Sequence, residues 1–215
     1  MFKGRLHIGI LAGALVFAAA ILGYAGWSAH QKRVHRQAVT AVVEDTTARL
    51  RDSLTGTLEL KKIEAHAAAV DAHLPVLKTN AAKNRDLADA AELYVISARE
   101  IFKRQAAVMR FSEHASLARK DLELHIGKAS RRDRGWIDEA MSRKKKVEAQ
   151  YFDYNLSLTG LSELLYRFPE SRKPLAPLVH ESVLLEPGLA ETAWRRSQAE
   201  AKRAADDLAV VRRLN

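Results

Sequence analysis

Apolar residues recur at helical spacing along most of this chain, and no stretch shows the period-two alternation that is typical of a half-buried strand. One row, Leu87, Tyr94, Ile101, Val108, Ala115 and Leu122, repeats at every seventh position. A second row alternates steps of three and four: Ile137, Ala140, Lys144, Val147, Tyr151, Tyr154, Leu158, Leu161, Leu165 and Phe168. Because this is the spacing of a coiled-coil seam, we expect an all-α fold, an elongated antiparallel helical bundle or coiled coil.

The first part of the chain carries a different pattern, an uninterrupted apolar run without charge over residues 8–27. A helix of this length spans about 30 Å, the thickness of a hydrocarbon core. The run exceeds the apolar core of a cleaved signal peptide, and Trp27 stands where a cleavage site needs a small residue. Residues 1–29 are therefore predicted to form a short tail and a retained transmembrane anchor, the alternatives being a cleaved signal and a buried soluble helix.

Residues flanking this run mark where it leaves a bilayer. Tyr24 and Trp27 close it, and Lys32, Arg33 and Arg36 follow. The charges on the two sides nearly balance, so they do not decide orientation. The short tail favours a cytoplasmic amino terminus, an inner-membrane location and a periplasmic bundle, with the reverse orientation as the alternative.

Glycines in the anchor suggest how two copies would meet within the membrane. Gly9 and Gly13 form a GxxxG step, which allows close helix approach. The alternative is that both glycines face lipid.

Helix-breaking residues divide the rest of the chain. Residues 30–168 are predicted to form the long-helix bundle: one helix reaches Leu74-Pro75 with a flex near Gly56, a second runs from about Asn80 to Gly127, and a third starts at a capping box from Ser130 to Asp133. Residues 169–188 form a proline-rich connector with one short helix at about 175–185, and 189–215 a helix that packs on the bundle. If these helices alternate in direction, the turn at 127–133 returns beside the anchor.

The charge balance adds a candidate surface. The chain has 35 Lys+Arg against 26 Asp+Glu, a net charge of +9. The predicted return of the 127–133 turn would collect one basic cluster at the membrane surface, facing anionic headgroups: Lys32, Arg33, Arg36, Arg131, Arg132, Arg134, Lys144, Lys145 and Lys146. A solvated helix surface is the alternative. Nucleic-acid binding is not expected, since no stacking aromatics are interleaved with these residues.

No residue pattern indicates catalysis. The sequence has no cysteine, no phosphate loop, no GxGxxG and no nucleophile elbow. His114, Asp121 and His125 share a helix face and are weak metal candidates, and His66 and His73 share another face. A metal site needs more convergent ligands with support behind them. We therefore expect no enzyme activity, no cofactor and no metal.

Together these features predict a single-pass membrane scaffold whose bundle holds or spaces a partner, either another membrane or envelope protein or a second copy. The alternative is an extracytoplasmic ligand-sensing bundle whose output lies in a partner protein.

Overall fold

A computed structural model describes residues 3–57, 59–127 and 133–213, with side chains from Tyr24 onward. Within these ranges the chain is helical apart from its connecting turns and contains no strand, which confirms the predicted all-helical bundle. The helices are α1 (Lys3–Thr55), α2 (Leu60–Asp71), α3 (His73–Ala81), α4 (Arg85–Gly127), α5 (Arg134–Arg172) and α6 (Pro187–Arg213), with a 3-10 turn at Glu181–Val183. With its 43 residues, α4 is about 65 Å long.

The chain reverses direction at Gly56 rather than flexing there. Asp52 near the end of α1 contacts His66 of α2, and Asp45, two turns earlier, contacts His73 at the start of α3. These contacts run antiparallel, so the predicted single helix as far as residue 74 is wrong. Pro75 lies in the first turn of α3, where its missing N–H removes no hydrogen bond of that helix.

A second reversal at residues 82–84 makes α4 parallel to α1. Asp71 and Glu64 of α2 pair with Arg99 and Arg110 of α4 in antiparallel order. The far end of α4 therefore points away from the segment where α1 enters the bundle. Gly127 and Asp133, which flank the 127–133 turn, lie at this far end, so the expectation that they return beside the anchor is wrong. The reversal at Gly56 adds a helix that the sequence pattern did not show.

Helices α5 and α6 continue the bundle in antiparallel fashion. The rings of Tyr94 on α4 and Phe168 on α5 lie 5.1 Å apart, while Arg143 near the start of α5 pairs with Asp121 near the end of α4. The ring centroids of Tyr166 near the end of α5 and Trp194 near the start of α6 lie 5.4 Å apart. Side by side, α4, α5 and α6 thus extend well beyond the ends of α1 and α2.

Buried side chains form two groups along this axis. The larger group joins α1 through α4 to the carboxyl-terminal half of α5, the connector and the start of α6. The smaller group lies at the far end and consists of Ala115, Ala118, Leu122, Val147, Tyr151, Leu208 and Val211. The seven-residue row of α4 is buried or partly buried throughout, as predicted.

The row on α5 is buried only in part. It is covered from Val147 to Phe168, with Tyr154 half-buried, but Ile137 is 49% exposed. This part of the prediction is wrong because α6, in the residues described, ends beside Lys144 and does not reach Ile137.

The boundaries around the connector also differ from the prediction. α5 continues through Pro169 to Arg172. Between α5 and α6 there are turns and the 3-10 turn rather than a short α-helix at 175–185, and Leu175, Leu184 and Leu185 are buried. The connector therefore closes the end of the bundle through its leucines.

Candidate interaction surfaces

Helix α1 leaves the bundle as one continuous helix. None of the side chains from Tyr24 to Val34 is buried, and among the described side chains the first buried one is that of Val39. Tyr24 and Trp27 are 71% and 57% exposed, with ring centroids 6.3 Å apart. Where α1 meets the bundle, Arg36 Nη2 donates a hydrogen bond to the Leu178 carbonyl at 2.9 Å. The aromatic rings thus lie on a helical segment that the rest of the described chain does not cover.

The predicted anchor falls largely on residues whose side chains lie outside the described part of the chain. Only its last four residues, 24–27, are included, and Gly9 and Gly13 are not. Among helices in the part that the structure describes, none is both long enough and apolar enough to cross a membrane.

The residues of the predicted basic cluster do not come together. Lys32, Arg33 and Arg36 lie where α1 enters the bundle, whereas Arg134, Lys144, Lys145 and Lys146 lie toward the other end of α4, about 50 to 70 Å away along the helix axis. Arg131 and Arg132 lie outside the described residues. The structure therefore offers two separate basic regions.

Lys144 has a specific structural contact. Its Nζ donates a hydrogen bond to the Arg212 carbonyl at 3.1 Å, in the last turn of α6. Carbonyls at a helix carboxyl terminus lack intrahelical donors and carry partial negative charge. Lys144 therefore fixes the end of α6 onto α5.

The weak metal candidates each have another neighbour. The Asp121 carboxylate pairs with Arg143, and the His125 ring stacks on Trp136 with centroids 5.2 Å apart. His114 is exposed and contacts the Phe111 ring edge. No group of three or more acidic, histidine or cysteine side chains suited to a metal is present in residues 24–57, 59–127 or 133–213.

The other histidine pair lies in a polar network that joins α1 to α2 and α3. His73 Nε2 lies 2.7 Å from Asp45 Oδ2, and Arg49 Nε donates to the same oxygen at 2.7 Å. His66, which is buried, lies 3.0 Å from Asp52 and 3.3 Å from Arg49. The seven-residue spacing of the two histidines places both against carboxylates of α1, so this network fastens the α1–α2–α3 hairpin.

The charges in this network lower the pKa of both carboxylates. Burial acts to raise the pKa of Asp45, but the bonds from Arg49 and His73 outweigh it and the pKa falls below its usual value. The pKa of Asp52 is lowered by its bonds to Lys62 and His66. Both carboxylates are therefore held ionised, as a structural network of ion pairs requires.

An open groove of about 700 Å³ runs between α5 and α6. The Tyr166–Trp194 ring pair lies at one end of it, with Glu163 and Gln198 along its walls. The groove exposes both apolar and polar surface. Because it is open to solvent, it does not have the walls needed to enclose a small molecule.

Sequence reasoning missed an exposed apolar stripe along the outer face of α5. Ile137, Met141, Phe152 and Leu156 are each between 49% and 59% exposed. At 100° per residue they lie within about 100° of one another. The sequence signal that could have identified them is a second set of apolar residues at helical spacing, beside the heptad row.

Comparison of the chain with known proteins finds no matching family model, no similar curated protein and no similar solved structure.

Proposed function

We propose that this protein is a single-pass membrane scaffold whose helical bundle holds a partner at a fixed distance from the bilayer. The observation that carries the proposal is the path of α1. Its exposed segment, with Tyr24 and Trp27, joins the charge-free apolar run to a buried bundle helix without a break. Amphipathic rings followed by basic residues are typical of the headgroup region.

The direction of the other helices supports the spacing role. Since α4 runs parallel to α1, the end of α4 at Gly127 and the start of α5 at Arg134 lie at the end of the bundle farthest from the proposed bilayer. α4 alone covers about 65 Å. This far end and the outer face of α5 are the surfaces left for a partner.

The root of α1 is braced for such a role. His35 Nδ1 contacts Asn80 Oδ1 at the end of α3, and Arg36 bonds the connector at Leu178. Because α1 is held from two sides where it leaves the bundle, the direction of the helical segment that precedes these contacts is fixed relative to the bundle.

Membrane fractionation tests the anchor. The full chain is expected to stay in the membrane pellet after alkaline carbonate washing, whereas a Leu15→Arg/Ala18→Arg variant, with two charges in the apolar run, is expected to be released. Ala199→Arg adds a charge on an exposed position of α6 and serves as the control, which should stay in the pellet. Complete release of the unmodified chain would overturn the proposal.

Orientation is tested separately by fusing a periplasmic phosphatase or a cytoplasmic fluorescent reporter after Asn215. If the bundle is exported, we expect the phosphatase fusion to be active and the fluorescent fusion to be dark. The opposite result would keep the scaffold but place the bundle and its partner in the cytoplasm.

A further inference from the structure

Six positions on α5 form a pattern whose spacing and polarity are the same in both directions, apart from the opposite signs of the two central charges. They are Ile137, Met141, Lys145, Glu148, Phe152 and Leu156. The steps between them are four, four, three, four and four residues. Two apolar side chains lie at each end, and one basic and one acidic side chain lie in the middle. Five of the six are exposed, and Glu148 is half-buried.

This symmetry makes the stripe complementary to itself. If a second α5 lies antiparallel across it with a two-fold axis between Lys145 and Glu148, Ile137 meets Leu156 of the second copy. Met141 then meets Phe152, and Lys145 meets Glu148. Each of the three pairings occurs twice, as an isologous interface requires. A parallel arrangement would instead place Lys145 against Lys145.

The two central charges are available for such a contact. Neither Lys145 nor Glu148 forms an ion pair within the residues that the structure describes. On the same helix, Arg143 is already paired with Asp121 and Glu139. The unpaired charges therefore coincide with the centre of the apolar stripe.

We propose that the outer face of α5, residues 137–156, binds the same face of a second copy in antiparallel orientation. The contact extends about 29 Å along the helix. Four apolar side chains per copy lose their exposed half, and two Lys145–Glu148 pairs fix the register. Because a contact through one helix face buries less surface than most permanent dimers do, the dimer forms and separates with protein concentration.

The arrangement sends the two α1 helices out at opposite ends of the dimer. Each copy contributes about 50 Å between the two-fold axis and the root of α1, so the roots lie on the order of 100 Å apart. If the anchors are membrane-spanning, which rests on the proposed function, the dimer connects two facing bilayers. The α5 contact itself does not depend on the anchor.

Cysteine cross-linking tests the register directly, because the native chain has no cysteine. Full-length Met141→Cys and Phe152→Cys variants in detergent are mixed and treated with a short bis-maleimide. A cross-linked product containing one copy of each is expected. Met141→Cys alone should give little product, since the two copies of residue 141 lie about 16 Å apart in this register. A product from Met141→Cys alone that equals the mixed product would overturn the antiparallel register.

Charge reversal tests the centre of the contact. Lys145→Glu and Glu148→Lys should each reduce the yield of mixed cross-link at least fivefold, and the double reversal should restore it, because the opposite charges still meet. Lys202→Glu, an exposed reversal on α6, is the control and should leave the yield unchanged. Circular dichroism verifies that each variant is folded.

The outcomes separate this inference from the proposed function. If no cross-link forms at any protein concentration while the chain stays in the membrane pellet, the dimer is wrong and the anchor stands. If cross-links form but the chain is released by carbonate, the dimer stands and the membrane scaffold is wrong. A failure of the double reversal to restore cross-linking would overturn the Lys145–Glu148 pairing.

Discussion

The Tyr94 hydroxyl on α4 lies 2.8 Å from the Thr47 hydroxyl on α1, and both residues are buried. The same oxygen accepts a hydrogen bond from the Leu185 backbone N–H at 3.2 Å. One phenol thus joins α1, α4 and the connector at the point where these segments cross. Burial raises the pKa of Tyr94, while the bonds to Thr47 and Leu185 act in the opposite direction, so the group remains a neutral donor and acceptor.

Tyr94→Phe is expected to lower the free energy of unfolding by about 1 to 3 kcal/mol, because it leaves the buried Thr47 hydroxyl and Leu185 N–H without this partner. Urea denaturation of the detergent-solubilised chain measures the change. Tyr166→Phe removes a hydroxyl from a tyrosine that is 66% exposed, and should change stability by less than about 0.5 kcal/mol. Equal losses in the two variants would contradict the role given to Tyr94.

Acid should weaken the α1–α2–α3 hairpin through Asp45. Because its pKa in the folded chain lies below the usual 3.8, the carboxylate stabilises the fold above the unfolded-state pKa. That contribution is lost as the pH falls through the folded-state value. Asp45→Asn is therefore expected to be less stable at neutral pH and to lose less stability than the native chain on acidification to about pH 3.

Denaturant melts at a series of pH values measure this difference. Asp206→Asn changes an exposed acid of α6 for which no ion pair is present in the described part of the chain, and is the control. Its stability curve should follow that of the native chain. Parallel curves for Asp45→Asn and the native chain would show that the Asp45 carboxylate contributes nothing to the acid sensitivity.

Much of the helical architecture was predictable because local spacing determines it. The row from Leu87 to Leu122, the end of α4 at Gly127 and the extent of α6 all follow from periodicity and helix-ending residues. The turn at Gly56 was not predictable in the same way. A lone glycine fits both a flexed helix and a reversal, and the choice was decided by distant contacts such as Asp45 with His73.

The surfaces were harder to predict for a related reason. A heptad row indicates that a face is suited to burial, but it does not show where the covering helix stops. α6 ends beside Lys144, so Ile137 continues the pattern without a cover. The prediction placed the two basic regions in one cluster, which is wrong. Whether they lie close together depends on how many times the chain reverses direction between them, and the positions of the charges do not show that number.

Two alanine substitutions on α5 distinguish its covered and uncovered parts. Leu158 is 3% exposed, and Leu158→Ala is expected to cost about 2 to 5 kcal/mol of folding free energy. Ile137→Ala should cost less than about 1 kcal/mol, because half of the side chain is already in water. The measurement is denaturation at low protein concentration, where the proposed dimer is separated. A larger loss for Ile137→Ala would place that residue in a core.

The start of α5 provides a test of helix capping. Asp133, rather than Ser130, occupies the position before the helix, and its Oδ1 accepts a hydrogen bond from the Trp136 N–H at 2.8 Å. Asp133→Ala should lower stability by about 1 kcal/mol, and Asp133→Ser should recover most of it. Ser130 lies outside the described residues. If Ser130→Ala cost more than Asp133→Ala, the cap would be the one that the sequence pattern suggested.

Lys144 lies at a heptad position where a buried lysine would be unfavourable, and replacement by leucine would then stabilise the bundle. The structure indicates the opposite sign, because the Lys144 ammonium contacts the Arg212 carbonyl at the end of α6. A cation at a helix carboxyl terminus is worth about 0.3 to 1 kcal/mol. Lys144→Leu is therefore expected to lower the melting temperature by a few degrees, while Lys202→Leu, on the exposed face of α6, leaves it nearly unchanged. Thermal unfolding followed by circular dichroism decides between the two signs: a higher melting temperature for Lys144→Leu would mean that the seam, and not the end of α6, determines what this position prefers.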